Sequence, residues 1–247
     1  MTVDPLGLMS EVDRATERLL RNVADLPELE APSRLPGWSR GALLARIIDN
    51  AEAYAAVLTA VAQGREPPRV TDLPATPARP ATALPTGPRT DQHADLLARL
   101  RASAAHFAEA VATMPLTAWR VDVVCRRALR RPAAALLWER LRVVELHHVD
   151  LDVGYSPADW SDGFSHRLLH DLVTECGKRD APPLVLSPLG AGHPLMIGKL
   201  MIGTAADGVP TVRGPVRHLA GWLSGRGGGD GLTVVPEGPL PSPPISM

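Results

Sequence analysis

The 247-residue chain has only two cysteines, Cys125 and Cys176, and only two lysines, Lys178 and Lys199. The cysteines are far apart and in no CxxC arrangement, so neither a disulfide framework nor a thiolate metal cage is indicated. If a thiol takes part in the chemistry, the protein does not obviously supply it. No apolar run approaches the roughly 20 residues that a membrane-spanning helix needs. The N-terminal stretch MTVDPLGLMSEVDR has neither a basic n-region nor a continuous apolar h-region, so a cytoplasmic protein without a membrane partner is expected. A formal charge of -1 gives no net attraction to phosphate, so nucleic acid is not an expected partner.

Forty-five per cent of the residues are hydrophobic and 21% are charged, enough apolar material for one large core or two smaller ones. Val12, Ala15, Leu19, Val23 and Leu26 recur at helical steps, which predicts a first helix from Ser10, its N-cap, to Leu26. The loop APSRLPGWSR follows, and Trp38 is expected to bury its ring there and anchor the turn. Ser39 opens a second helix whose stripe Leu43, Ile47, Ala51, Tyr54, Leu58 and Val61 runs to Gly64. Residues 65–89 carry seven prolines and read as a long crossover loop.

A third helix is expected over 91–114, with Leu96, Leu100, Phe107 and Val111 on its apolar face. Residues 119–131 read as a strand or irregular connection, and a fourth helix starts at Pro132 and runs to Asp152. A last bundle helix is expected from about Asp159, carrying Phe164, Leu168 and Leu172. Beyond Cys176 the pattern changes. Short strands at 184–186, 195–202 and 232–235, with a helix over Val216–Leu223 introduced by Gly214 and Pro215, describe a small α/β unit. The expected domains are 1–165 and 166–247.

Three ordered stretches carry a family resemblance. PSRLPGWSRGALLARIIDNA at the second helix, RLRVVELHHVDL at the fourth, and VRGPVRHLAGWLSGRGGGDGLTV followed by GPLPSPP resemble the mycothiol-dependent maleylpyruvate isomerase family. The resemblance implies an α+β fold, a DinB-like up-down-down-up four-helix bundle followed by a small C-terminal α/β domain. An actinobacterial source fits the scarcity of lysine beside abundant Arg, Ala, Pro and Gly, a bias that GC-rich coding leaves.

The resemblance also implies a metal in the bundle that ionises the thiol of mycothiol, held by a histidine from the second helix and by a Glu and a His four residues apart on the fourth. In this sequence those positions are Arg46, Val143 and His147. Zinc is therefore not expected. A substitute trio of His147, Asp150 and Asp49 is conceivable, but Arg46 in place of the ion is the more economical reading: a fixed charge and a forked donor array for a carboxylate or a developing thiolate. His147 is then available as a general base, and Asp150, one turn on, reads either as the group that orients it or as the structural partner of an arginine. Arg46 as a solvated residue paired with Asp49 or Asn50 is the plainer alternative. His148 lies about 100° from His147 around the helix and reads as structural. His166 and His170, four apart, lack a third ligand.

Asn50, beside the Arg46 face, and Arg226, in the stretch matching the family's WLxGR motif, complete the candidates as contacts for cofactor or substrate. The Gly-rich run around Arg226 suggests a pliable loop from which the arginine can reach a carboxylate. The leading functional expectation is a mycothiol-linked transferase or exchange enzyme acting on a small metabolite, in specialised biosynthesis. Its partners would be a small-molecule substrate and a low-molecular-weight thiol. The alternatives are a cis-trans isomerase of the maleylpyruvate type, a non-catalytic binding protein, and a thiol-independent metal-free enzyme on the same fold.

Overall fold

The computed structural model describes residues 5–26, 28–70, 89–125, 129–177, 183–190, 195–197 and 209–243. The chain divides into two compact units, Met1–Val153 and Gly154–Met247. The first holds helices α1 (Pro5–Asn22), α2 (Arg40–Ala62), α3 (Arg89–Ala112) and α4 (Ala135–Asp150), with a short hairpin of β1 (Asp122–Val124) and β2 (Arg130–Pro132). Most of the proline-rich crossover, residues 71–88, lies outside the described residues.

Polar pairs across the helix seams fix their directions. Arg18 and Asn22 of α1 meet Glu145 (3.6 Å) and His148 (3.1 Å) of α4 in ascending order, so α1 and α4 run parallel. Arg40 reaches the carbonyl of Leu151 while Tyr54, at the other end of α2, donates to Glu139 at 2.8 Å, so α2 is antiparallel to α4. The C-terminal half of α3, with Phe107 and Val111, shares a cavity wall with Met9 and Val12 near the start of α1. This is the up-down-down-up bundle. Because α2 and α3 descend side by side, the connection between them must carry the chain back along about 34 Å of helix.

The core forms where the periodicity places it. Leu19, Leu43, Ile47, Leu58, Leu136 and Leu137 are fully buried, each contributing about 1.5–3 kcal/mol of hydrophobic stabilisation. Ser39 caps α2 by accepting from the Ala42 amide at 3.2 Å, and Gly64 follows the helix at φ +65°, a left-handed position that suits glycine. Helix α1 starts five residues earlier than expected: Pro5 needs no amide partner in a first turn, so Ser10 lies inside the helix. Helix α4 begins three residues later than expected, because Pro132 ends β2 instead.

The second unit contains α5 (Asp162–Gly177), β3 (Leu184–Pro188), β4 (Leu195–Ile197), β5 (Thr211–Gly214), α6 (Val216–Leu223) and β6 (Thr233–Val235). Its sheet has the order β4-β3-β5-β6, parallel between β3 and β5 and antiparallel at both edges. Helix α5 was expected to close the bundle, and the domain boundary was expected at 165/166. Instead α5, with Phe164, Leu168 and Leu172 buried, packs on α6 and β4, and the division falls at Val153/Gly154. Strand β5 was not anticipated, and the expected strand over 195–202 is described only to Ile197. Trp222 is buried in this unit, as expected.

Candidate active site

Besides the Tyr54–Glu139 bond, the facing surfaces of helices α2 and α4 carry two polar rungs. The upper rung joins Arg46 and His147, two of the three positions where the family resemblance implies metal ligands, to Asp150. Arg46 donates from Nε to Nε2 of His147 at 3.2 Å, and His147 Nδ1 lies 2.9 Å from Oδ2 of Asp150. A guanidinium can only donate, so Nε2 must be the acceptor, and neutral His147 carries its proton on Nδ1, where it is donated to Asp150. Spacing explains the second bond: residues three apart on a helix are neighbours.

The rung is sheltered. The Asp150 side chain is 2% exposed and that of His147 12%, so the hydrogen bond between them operates in a medium of low polarity. Asp150 is held from outside α4 as well, since its carbonyl accepts from the Arg34 amide at 2.8 Å. Arg46 lies with Cζ 5.7 Å from the centroid of Trp38. Trp38 is thus only half-buried, a platform for Arg46 rather than the fully buried anchor expected of it. Arg46 is no plainly solvated helix residue either: it is half-buried and engaged with both Trp38 and His147.

The lower rung is Asn50 and Arg140. Arg140 donates from Nη1 to the carbonyl of Ile47 at 2.7 Å and to Oδ1 of Asn50 at 3.0 Å. Asn50 therefore holds an arginine of the bundle interior. Arg140 was not among the residues singled out in the sequence. The available signal was its spacing: seven residues before His147, nearly two full turns, it shares the same face of α4. It is 1% exposed, and burial pushes its guanidinium down to about 10.

The donor set of a metal centre is not assembled here. Val143 offers no ligand atom, Arg46 puts a cation where the family resemblance implies a ligand, and both ring nitrogens of His147 are engaged. Among the described residues no group of three or more His, Cys, Asp or Glu could hold an ion, so neither the His147, Asp150 and Asp49 trio nor His166 and His170 forms one. His148 and Glu145 turn to α1, where Asn22 and Arg18 meet them.

Arg226 belongs to the second unit. It is 9% exposed, and its Nη1 donates to the carbonyl of Ser224 at 2.9 Å, just past α6. The loop that carries it is not the pliable one expected. The amides of Arg226 and Gly227 both bond the carbonyl of Gly221, and a Cβ on Gly227 would meet the Gly221–Trp222 backbone at 3.1 Å. Glycine permits close approach here and yields a tight, closed turn.

Residues 12–152 match the family model of the mycothiol maleylpyruvate isomerase N-terminal domain, and the chain belongs to that family. It thus carries the bundle domain of an enzyme family. Two solved structures share the fold: a mycothiol-dependent maleylpyruvate isomerase, at a TM-score of 0.79, and a mutant of such an enzyme, at 0.77. Each is 22% identical in sequence, and each alignment covers 98% of this chain and 99% of the other. No curated protein matches the chain. Among the described residues no helix is long and apolar enough to cross a membrane.

Proposed function

We propose that the protein is a metal-independent, mycothiol-linked transferase or exchange enzyme acting on a small metabolite. The observation that carries this reading is the Arg46–His147–Asp150 line at the position where the family resemblance implies a metal. Ionising a thiol needs two things: positive charge beside the sulfur and an acceptor for its proton. Arg46 supplies the first and the His147–Asp150 pair the second.

In the resting arrangement Arg46 covers the lone pair of His147 Nε2. An entering thiol exchanges that contact. Its S–H proton passes to Nε2, and the guanidinium turns its donors to the sulfur. Asp150, already bonded at Nδ1, stabilises the resulting imidazolium. The thiolate forms a bond to an electrophilic carbon of the substrate, the bond to the leaving group breaks, and the leaving group takes the proton back from Nε2. Atoms and charge balance, and His147 returns to its starting tautomer. Cis-trans isomerisation would use the same first step, followed by bond rotation and expulsion of the same thiol.

The test combines metal analysis of protein purified without chelator or affinity tag, calorimetric titration with mycothiol, and thiol-exchange turnover before and after treatment with a chelator. Thiol binding and chelator-resistant turnover are expected. Stoichiometric zinc whose removal abolishes turnover would overturn the metal-free reading. Absence of thiol binding would leave a thiol-independent enzyme or a binding protein on this fold.

A further inference from the structure

The buried guanidinium of Arg140 has an edge that nothing in the bundle uses. Nη1 is satisfied by Ile47 and Asn50, whereas Nε and Nη2 are buried and have no hydrogen-bond partner. These two atoms form one side of the guanidinium fork, with parallel N–H bonds at the spacing of two carboxylate oxygens. The acceptors on Nη1 are neutral, so its hydrogen bonds bring no counter-charge. An interior cation with two orphaned donors costs several kcal/mol relative to a paired one.

We propose that the Nε/Nη2 edge of Arg140 is a binding site for the carboxylate of a small organic acid. A carboxylate supplies both missing acceptors and the missing charge in a single group. A buried water could satisfy a donor but would leave the charge uncompensated.

The ring of Phe107 lies 5.8 Å from Arg140 Cζ and also lines a cavity of about 250 Å³, together with Leu137 on α4 and Met9 and Val12 on α1. Access for an acid requires the Phe107 ring to shift toward that cavity. Arg140 and His147 are seven residues apart, about 10 Å along α4. An acid held at Arg140 would thus extend along the seam toward His147, with Val143 as the apolar wall between. This deepens the function proposed above, on which it rests for the reaction though not for the binding.

The test is NMR titration of the full-length protein, following the Nε–H resonance of Arg140, with succinate as the probe and succinamide and chloride as controls. Succinate is expected to shift that resonance saturably, and the controls to leave it unmoved. In Asn50→Asp, which gives the guanidinium an internal counter-charge, succinate should bind roughly tenfold or more weakly. A resonance that ignores succinate, or that follows chloride equally, would overturn the proposal, as would unchanged affinity in Asn50→Asp. The two readings fail separately: thiol turnover with an unresponsive Arg140 rejects only this site, and a responsive Arg140 without thiol turnover rejects only the thiol chemistry.

Discussion

Arg46 and His147, 101 residues apart in sequence, share one hydrogen bond of 3.2 Å between Nε and Nε2, and that bond places a cation at the Nε2 edge of an imidazole where the family resemblance implies a metal ion. Its direction also fixes the proton on Nδ1, beside Asp150. The two helices thereby couple a proton acceptor to a fixed charge.

Replacing Arg46 by methionine keeps length and removes the charge. Thiol-exchange turnover is expected to fall by about 10²–10³-fold, the usual cost of losing a preorganised electrostatic contact. Thermal unfolding should move little, within about 1 kcal/mol, since Arg46 lies at a half-buried position. Steady-state kinetics alongside calorimetry would separate the two effects, and wild-type turnover in the variant would reject the role.

Asp150→Asn preserves shape but removes the anion beside His147. A drop in kcat of roughly a hundredfold or more is expected, with the KM for thiol nearly unchanged, because the charge matters most once the imidazolium has formed. A rise in KM at constant kcat would assign Asp150 to binding instead.

The missing ligands can be put back. Arg46→His combined with Val143→Glu would present two histidines and a glutamate across the α2–α4 seam, with the new carboxylate four residues before His147. Purified double variant should carry stoichiometric zinc by elemental analysis while the parent carries far less. Equal metal content in both would show that these two positions do not control the metal.

Cys125 is buried beside Glu139, and these two causes, burial first, push its thiol up from 9.0 to about 11. The folded state therefore holds this proton more tightly than the unfolded chain does. Its contribution to stability is complete below pH 9 and is lost as pH rises toward 11, by an amount on the order of 2–3 kcal/mol. Urea denaturation across that window should show a decline that Cys125→Ala lacks; parallel declines would place the effect elsewhere.

Gly227→Ala would drive a methyl group into the Gly221–Trp222 backbone at 3.1 Å. A loss of about 1–3 kcal/mol is expected in thermal denaturation of the full-length protein, from strain in a turn with no slack. An unchanged melting temperature would mean that the turn relaxes around Arg226.

Much of the bundle could be read from the residues alone. The stripe of Leu43, Ile47, Ala51, Tyr54, Leu58 and Val61 is buried as its spacing requires, and Ser39 and Val216 open their helices where they were expected to. Such features follow from 3.6-residue periodicity and from capping, both local in the chain. Helix α5 has the same apolar spacing as a bundle helix, yet periodicity identifies a face without naming the surface it meets. Its burial against α6 and β4 is a tertiary result.

The site divides in the same way. His147 and Asp150 are one turn apart on a single helix, so their meeting could be foreseen, and the substitutions at 46 and 143 were visible as missing ligands. That Arg46 would reach His147 across the seam was decided by the antiparallel register of α2 and α4. The same register made Asn50 a partner of Arg140 and left two donors of that arginine buried without acceptors. The sequence by itself thus determined which residues lie on each helical face, because that depends on bonds within one helix. Only the tertiary structure decided which faces meet and which polar atoms are left over, because those depend on how long-range packing excludes water.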